Sequence, residues 1–337
     1  MDLQATGETP VRAIRYRNGH VWLDEASAAP APEEGEAVVR VVRAGVSRAD
    51  LAICRGEIEF DGVLGHELAG VVEGFGEGVD GATRKRWQGR RVTASPDIAC
   101  ATCDMCRAGL STHCRRRQAI GLIGRDGCLA ERVSMPVRNL WALPDRVDDD
   151  AGVFSAATAG ALHAAQVVRI EGKAYITVLG DDVTALLCAQ VMQRLNASVR
   201  VLGRHRAALD MCEKWGIRHR HVDDAGRRQD QDVVVVCDVT GRDVAIASGM
   251  LRARGKILLL GHGAPAKAEV DAAPIIESEI EVIGVRGGSI GEGAAAIERG
   301  TIDVNGLVTR RFKLGEGVAA IRAAAEEGQL KVVVEGE

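Results

Sequence analysis

Tyr175-Ile176-Thr177-Val178-Leu179-Gly180-Asp181-Asp182-Val183-Thr184-Ala185 opens as an unbroken β-prone run, turns at a glycine, and continues with helical spacing from Val183 to Leu195. A short apolar run of this kind is the mark of a strand covered on both faces, and the segment after the turn reads as the helix that covers it. The series continues through Val199–Leu202, His219–Val222, Asp232–Cys237, Lys256–Leu260 and Ile280–Val285, with helix-like stretches at Arg206–Trp215 and Val244–Leu251 between them. Strands alternating with helices predict an α/β fold with a doubly wound parallel sheet.

Upstream the pattern differs. Val11–Tyr16 and His20–Leu23 flank Asn18-Gly19, a two-residue hairpin signal, and Ala37–Val42 and Leu68–Gly74 read as further strands, while helical period is scarce before residue 150. This first part is a β-rich domain. The tail after residue 290, with elements at Ala294–Arg299, Val308–Phe312, Gly317–Glu327 and Lys331–Val334, is too short for a third domain and is expected to return to the first. The expected boundaries are 1–150, 151–290 and 291–337, with no repeat of solenoid period.

A chain of 337 residues accommodates about two domains, and its 46% apolar and 27% charged content is ordinary for a globular protein. With 43 basic against 47 acidic residues the net charge is -4, so no basic footprint for nucleic acid exists. The apolar runs fall far short of the ~20 residues that span a bilayer, so no membrane partner is expected. Met1–Glu8 lacks the basic and apolar regions of a signal peptide, and a cytoplasmic location is expected. There the nine cysteines would stay reduced.

Four of them stand at Cys100-x2-Cys103-x2-Cys106-x7-Cys114, within a lobe spanning about 95–116. Tetrahedral zinc needs four soft ligands on a loop tight enough to fold around one ion, and a site filled by four protein ligands has no open position, so the expected zinc is structural. Cys54, Cys128, Cys188, Cys212 and Cys237 are isolated and read as small core residues.

The cysteine lobe, Gly65-His66-Glu67 with Gly70, Gly76 and Val79, the Val46–Gly56 segment and the later parallel-sheet pattern together resemble the zinc-containing medium-chain alcohol dehydrogenases over nearly the whole chain. The resemblance implies a GroES-like catalytic domain, a Rossmann domain that binds NADP or NAD, a small-molecule substrate, and a homodimer or homotetramer. Members of that family polarise an alcohol or carbonyl oxygen with a catalytic zinc while the carbon exchanges hydride with nicotinamide.

Several of the implied parts are changed. The first zinc ligand, a cysteine in the family, falls on Ser47; the threonine and histidine that relay a proton fall on Ala49 and Ala52; the third ligand falls on Ala156, with only Ser155 one position away. His66 survives, with Glu67 beside it and Asp50, whose family counterpart holds that histidine by a hydrogen bond. His66, Asp50, Glu67 and Ser47 are therefore the candidate catalytic residues, working without metal as a general acid or base. His163, on an expected helix, has no such support.

The dinucleotide loop is changed too. Where the resemblance implies Gly-x-Gly-x-x-Gly, this chain has Gly180, Asp182 and Ala185, so a carboxylate stands where two phosphates would meet the helix N-terminus unless it simply caps the helix. Gly203-Arg204 ends the second strand without an acidic residue and offers an arginine for a 2′-phosphate, which favours NADP over NAD. Thr240 in Cys237-Asp238-Val239-Thr240-Gly241, Gly261 in Gly261-His262-Gly263, and Arg286 in Arg286-Gly287-Gly288-Ser289 are expected around the cofactor. The leading expectation is an NADP-preferring oxidoreductase of small alcohols, aldehydes or ketones, without a standard catalytic zinc. The alternatives are a non-catalytic relative that binds another ligand or a protein, and a dehydrogenase with rearranged ligands and two zinc ions per chain.

Overall fold

The computed structural model describes residues 10–170, 172–195, 197–226, 228–237, 240–261 and 269–336. Met1–Glu8, Asp238, Val239, His262 and Gly263 lie outside the described residues. By their contacts the described residues form two compact units, one made of those within 1–143, 310–322 and 332–337, the other of those within 144–309 and 323–331.

In the second unit six strands form one parallel sheet in the spatial order Arg218–His221, Ala197–Gly203, Ala174–Leu179, Gln231–Val236, Leu251–Leu260, Glu281–Val285. Numbered along the chain, that is the 3-2-1-4-5-6 order of a Rossmann domain. Successive side chains of Gln231–Val236 point to opposite faces: Val233 and Val235 join the core with Ile176, Val178 and Leu258, whereas Val234 and Val236 join the one containing Leu179, Leu202 and Met250. Both faces are dry, which is why the sequence shows continuous apolar runs and not alternation. Helix Val183–Gln193 is buried from Val183 through Met192 and so carries no polar stripe. One strand is longer than its sequence suggests. Its first half, Leu251-Arg252-Ala253-Arg254-Gly255, is polar and irregular, with Arg254 at φ 63°, so the expected run from Lys256 captures only the regular half.

The first unit is built mainly on antiparallel pairs. Strand Glu36–Val46 lies between Glu67–Phe75 on one side and Arg132–Pro136 and Lys331–Glu335 on the other, with Val332 opposite Val46 and Glu335 opposite Arg43. The Asn18-Gly19 turn forms as expected, both residues at positive φ (49° and 86°), joining Val11–Arg17 to His20–Ser27. Two short helices interrupt this β-rich unit before the cysteine lobe, Arg48–Cys54 and Gly81–Trp87. The first carries functional candidates at its start.

The loop bearing Gly65-His66 is fixed by main-chain packing. A Cβ on Gly127 would lie 2.3 Å from the carbonyl oxygens of both Leu64 and Gly65, and one on Gly121 would lie 2.2 Å from that of Gly65. Leu129 N–H and Cys128 N–H donate to the Leu64 and Gly65 carbonyls at 2.8 and 2.9 Å, so the backbones are held at a separation only glycine permits. Gly127→Ala should therefore destabilise the first unit by about 1–3 kcal/mol or more, the range of overpacking with no flexible neighbour to yield. A lowered urea midpoint at unchanged slope is the expected reading.

Candidate active site and metal centre

Ser47 begins helix Arg48–Cys54 as its N-cap. Its Oγ accepts from Asp50 N–H while the Asp50 carboxylate accepts from Ser47 N–H at 2.8 Å, a reciprocal capping box. Asp50 is fully buried, and its charge is met by three donors: Ser47 N–H, the Ser47 hydroxyl at 2.6 Å, and Gly65 N–H, which reaches the other carboxylate oxygen at 2.8 Å. The helix start is thus tied to the residue before His66.

His66 Nδ1 lies 3.5 Å from Ser47 Oγ. The expected hold of Asp50 on His66 therefore runs through Ser47. With the Ser47 hydroxyl proton given to Asp50, the hydroxyl faces the ring as an acceptor, an arrangement that suits the tautomer with the proton on Nδ1 and Nε2 as the basic nitrogen. Glu67 is buried beside His66 at the start of strand Glu67–Phe75.

This donor set does not fit a catalytic zinc. Ser47 Oγ is engaged by Asp50, Ala156 has no ligand atom, and Ser155 Oγ donates to the Gly152 carbonyl at 2.7 Å. Cys54 offers no replacement: burial, reinforced by the Asp50 charge, pushes its thiol up to about 11, away from the thiolate a metal requires. Among the described residues the one group of three or more cysteine, histidine or acidic ligands close enough for a metal ion is Cys100, Cys103, Cys106 and Cys114.

Those four do fit zinc. Their sulfurs all lie within 4.8 Å of one another, with Cys103 to Cys106 at 3.5 Å and Cys103 to Cys114 at 3.9 Å. Zn–S bonds of about 2.3 Å at tetrahedral angles demand sulfur separations of about 3.8 Å. Helix Asp104–Arg107 and a following 3-10 turn, Ser111–His113, fold the loop back on itself. Arg116 Nη2 stands 3.5 Å from Cys100 Sγ, a cation beside the sulfur cluster.

In the second unit Gly180, Gly203, Gly261 and Arg286 all follow or end strands at the carboxyl edge of the parallel sheet, and Thr240 caps helix Gly241–Met250 after the strand Gln231–Val236. Gly180, at φ 133°, fits the tight turn: a Cβ there would come within 3.1 Å of Cys237 Cβ, at the junction where strand order reverses. Asp182 is the N-cap of Val183–Gln193, its carboxylate accepting from Ala185 N–H at 2.8 Å. It occupies the positive end of the helix that a pyrophosphate would need. Like charges about 4 Å apart repel by about 4 kcal/mol at an effective dielectric near 20, against about 1 kcal/mol gained by capping. The turn fits a dinucleotide, and this helix end does not.

Sequence reasoning missed the neighbouring Asp181 and Asp243. Asp181 Oδ2 accepts from Arg204 N–H and His205 N–H, both at 2.5 Å, and faces His205 Nδ1 at 3.0 Å. Burial lowers the His205 pKa, but the Asp181 and Glu327 carboxylates outweigh it and hold the imidazole above its usual range. Arg204 Nη2 pairs with the nearly buried Asp243 at 3.0 Å, and Asp243 is anchored in turn by Thr240 Oγ1 at 2.6 Å. The Thr240-x-x-Asp243 spacing of a helix cap was the available signal for the second of these.

The alcohol dehydrogenase GroES-like domain family matches residues 33–145. L-threonine 3-dehydrogenase of Chelativorans sp. (strain BNC1) is 30% identical over 330 residues, 90% of this chain and 92% of that protein. The enzyme of the same name from Mesorhizobium japonicum is 28% identical, covering 90% and 93%. A protein of Sinorhizobium meliloti 1021, described as a zinc-binding dehydrogenase and solved with NADP, superposes with a TM-score of 0.86 at 26% identity over 97% of this chain and all of that one. A thermostable alcohol dehydrogenase from Pyrobaculum aerophilum shares the fold, with a TM-score of 0.85 at 24% identity over 96% and 99%. The chain belongs to the zinc-containing medium-chain dehydrogenase/reductase family, and is an alcohol dehydrogenase-like oxidoreductase with a GroES-like and a Rossmann domain. Zinc and NAD or NADP are the cofactors of that family.

Cys103→Ser, or removal of zinc by a strong chelator, is expected to lower the thermal midpoint measurably, because the free energy of the closed thiolate site is folding energy. An unchanged midpoint after verified zinc loss would refute this. Asp182→Gly should tighten NADH at least tenfold in a fluorescence titration; unchanged affinity would show that the carboxylate is not the obstacle.

Proposed function

We propose that this chain moves a hydride between a nicotinamide dinucleotide and a small alcohol, aldehyde or ketone, with a structural zinc at Cys100, Cys103, Cys106 and Cys114 and no catalytic zinc. The observation that carries the reading is the Asp50–Ser47–His66 chain, in which the Ser47 hydroxyl is held by Asp50 and faces the His66 ring at 3.5 Å. The bound dinucleotide supplies or takes the hydride at its nicotinamide ring. The protein must then handle the proton on the substrate oxygen. His66 Nε2 gives that proton in reduction and takes it in oxidation, while Nδ1–H stays directed at Ser47 and the Asp50 carboxylate offsets the charge of the protonated ring through the hydroxyl. Glu67 is buried next in the chain, at the start of strand Glu67–Phe75.

Gly180, Gly203, Thr240, Gly261 and Arg286 line the sheet edge where the dinucleotide would lie. The preference for NADP expected from Arg204 loses its support, since that guanidinium is paired with Asp243 and the adjoining amides are taken by Asp181. A second reading, a fold that binds a different ligand without catalysis, is favoured by one observation: Asp182 fills the helix end that a pyrophosphate would use.

Edge strand Glu281–Val285 exposes Val282, and the adjoining helix Ala273–Glu277 exposes Ile276 at 73%, which supports a homo-oligomer. Among the described residues no helix is long and apolar enough to cross a membrane, and the free cysteines support the proposal of a reducing, cytoplasmic setting.

Metal analysis should find one zinc per chain, and His66→Asn should keep that zinc while lowering kcat by about 10²–10⁴, the usual worth of a positioned acid or base. Two zinc ions per chain, or undiminished turnover in His66→Asn, would overturn the metal-free centre. Binding of neither NADH nor NADPH up to millimolar would favour the second reading.

A further inference from the structure

We infer that Asp181 sets the dinucleotide preference, selecting a free adenosine 2′-hydroxyl, as in NAD, against a 2′-phosphate, as in NADP; the inference rests on the dinucleotide reading above. In this fold the adenosine ribose is read just past the second strand of the sheet, by an acidic residue that accepts from its hydroxyls or by a basic one that accommodates the phosphate. That strand is Ala197–Gly203, and its own sequence continues with Arg204-His205-Arg206, which supplies no acid.

The acid arrives instead from the first strand's turn. Asp181 reaches across to the second strand because Gly203 leaves room: a Cβ at Gly203 would lie 2.6 Å from Asp181 Cβ. Its Oδ2 accepts from the main-chain N–H groups of Arg204 and His205, and the His205 ring closes on the same oxygen at 3.0 Å. These three donors are the ones a phosphate at this turn would use. A carboxylate already holds them, and it would repel the incoming dianion.

Nor is Arg204 available to compensate. Its guanidinium is 3.0 Å from Asp243, whose side chain is only 4% exposed, so turning it toward a phosphate would take the countercharge from a buried carboxylate and leave it the Thr240 hydroxyl. The far nitrogen of His205 is engaged by Glu327 at 3.2 Å. Asp181 Oδ1, by contrast, accepts no hydrogen bond among the described residues, while the side chain keeps 12% exposure. It is a free acceptor beside the turn, suited to a ribose hydroxyl and not to a phosphate.

Parallel fluorescence titrations with NADH and NADPH test this on the full chain, on Asp181→Ala, which empties the three donors, and on Asp181→Asn, which keeps an acceptor and removes the charge. The unmodified chain should bind NADH at least tenfold more tightly than NADPH. In Asp181→Ala that ratio should shift at least tenfold toward NADPH, and in Asp181→Asn about threefold; if Asp181→Ala does not fold by circular dichroism, Asp181→Asn decides. NADPH bound as tightly as NADH by the unmodified chain, or a ratio unmoved in the folded variants, would overturn the role of Asp181 and leave the oxidoreductase reading standing. Absence of binding of either dinucleotide to the unmodified chain, to both Asp181 variants and to Asp182→Gly would overturn the oxidoreductase reading, and this inference with it.

Discussion

A buried carboxylate is the constraint around which the first unit's site is arranged. Asp50 has no exposed surface, and removing an ionised group from water is tolerated only when donors replace the lost hydration. Three do so here, two from Ser47 and one from Gly65. Satisfying the charge therefore fixes both the start of helix Arg48–Cys54 and the loop that presents His66. The hydroxyl that completes this shell is also the group that faces the imidazole, so electrostatic necessity and the orientation of a candidate proton carrier have the same origin.

At the carboxyl edge of the parallel sheet the same logic appears in reverse. Main-chain N–H groups at a helix start and in the turn after the second strand are unsatisfied by the fold itself. In this chain Asp182 answers the first and Asp181 the second. The protein thus satisfies internally two positions that the fold leaves open to anions, and what binds there must either displace a carboxylate or hydrogen-bond to one.

The architecture was legible because its cause is periodic. Val233 to Val236 can alternate between two cores only if both faces of the sheet are covered, and that requirement writes continuous apolar runs into the sequence. The cysteine lobe was legible for a similar reason: four ligands close in sequence must also be close in space. Ser47, Asp50 and His66 could be named from their positions, but not their connection, since nothing in the spacing says that a serine hydroxyl would bridge the other two. Asp181 was harder still. Its partners lie 23 and 24 residues away in the turn after another strand, and only the absence of a side chain at Gly203 admits it. Read along the chain, Asp181-Asp182 is an ordinary helix start. Across the sheet, its two carboxylates do different work.

The two metal sites implied by the family differ in how much of the chain each needs. The structural site draws all its ligands from Cys100 to Cys114, a segment that closes on itself with a short helix and a 3-10 turn, so its integrity is a local matter. A catalytic site of the family type draws on positions 47, 66 and 156, three segments far apart in sequence, and a change at one position removes the tetrahedral set. Ser47 and Ala156, at the positions the resemblance gives to two of those ligands, both lie outside the segment that carries the cysteine lobe. Zinc at the lobe is thus compatible with any chemistry at His66, and its presence carries no information about that chemistry. What bears on the reaction is the setting of the His66 ring, where the Ser47 hydroxyl lies 3.5 Å from Nδ1 at the position the resemblance gives to a metal ligand.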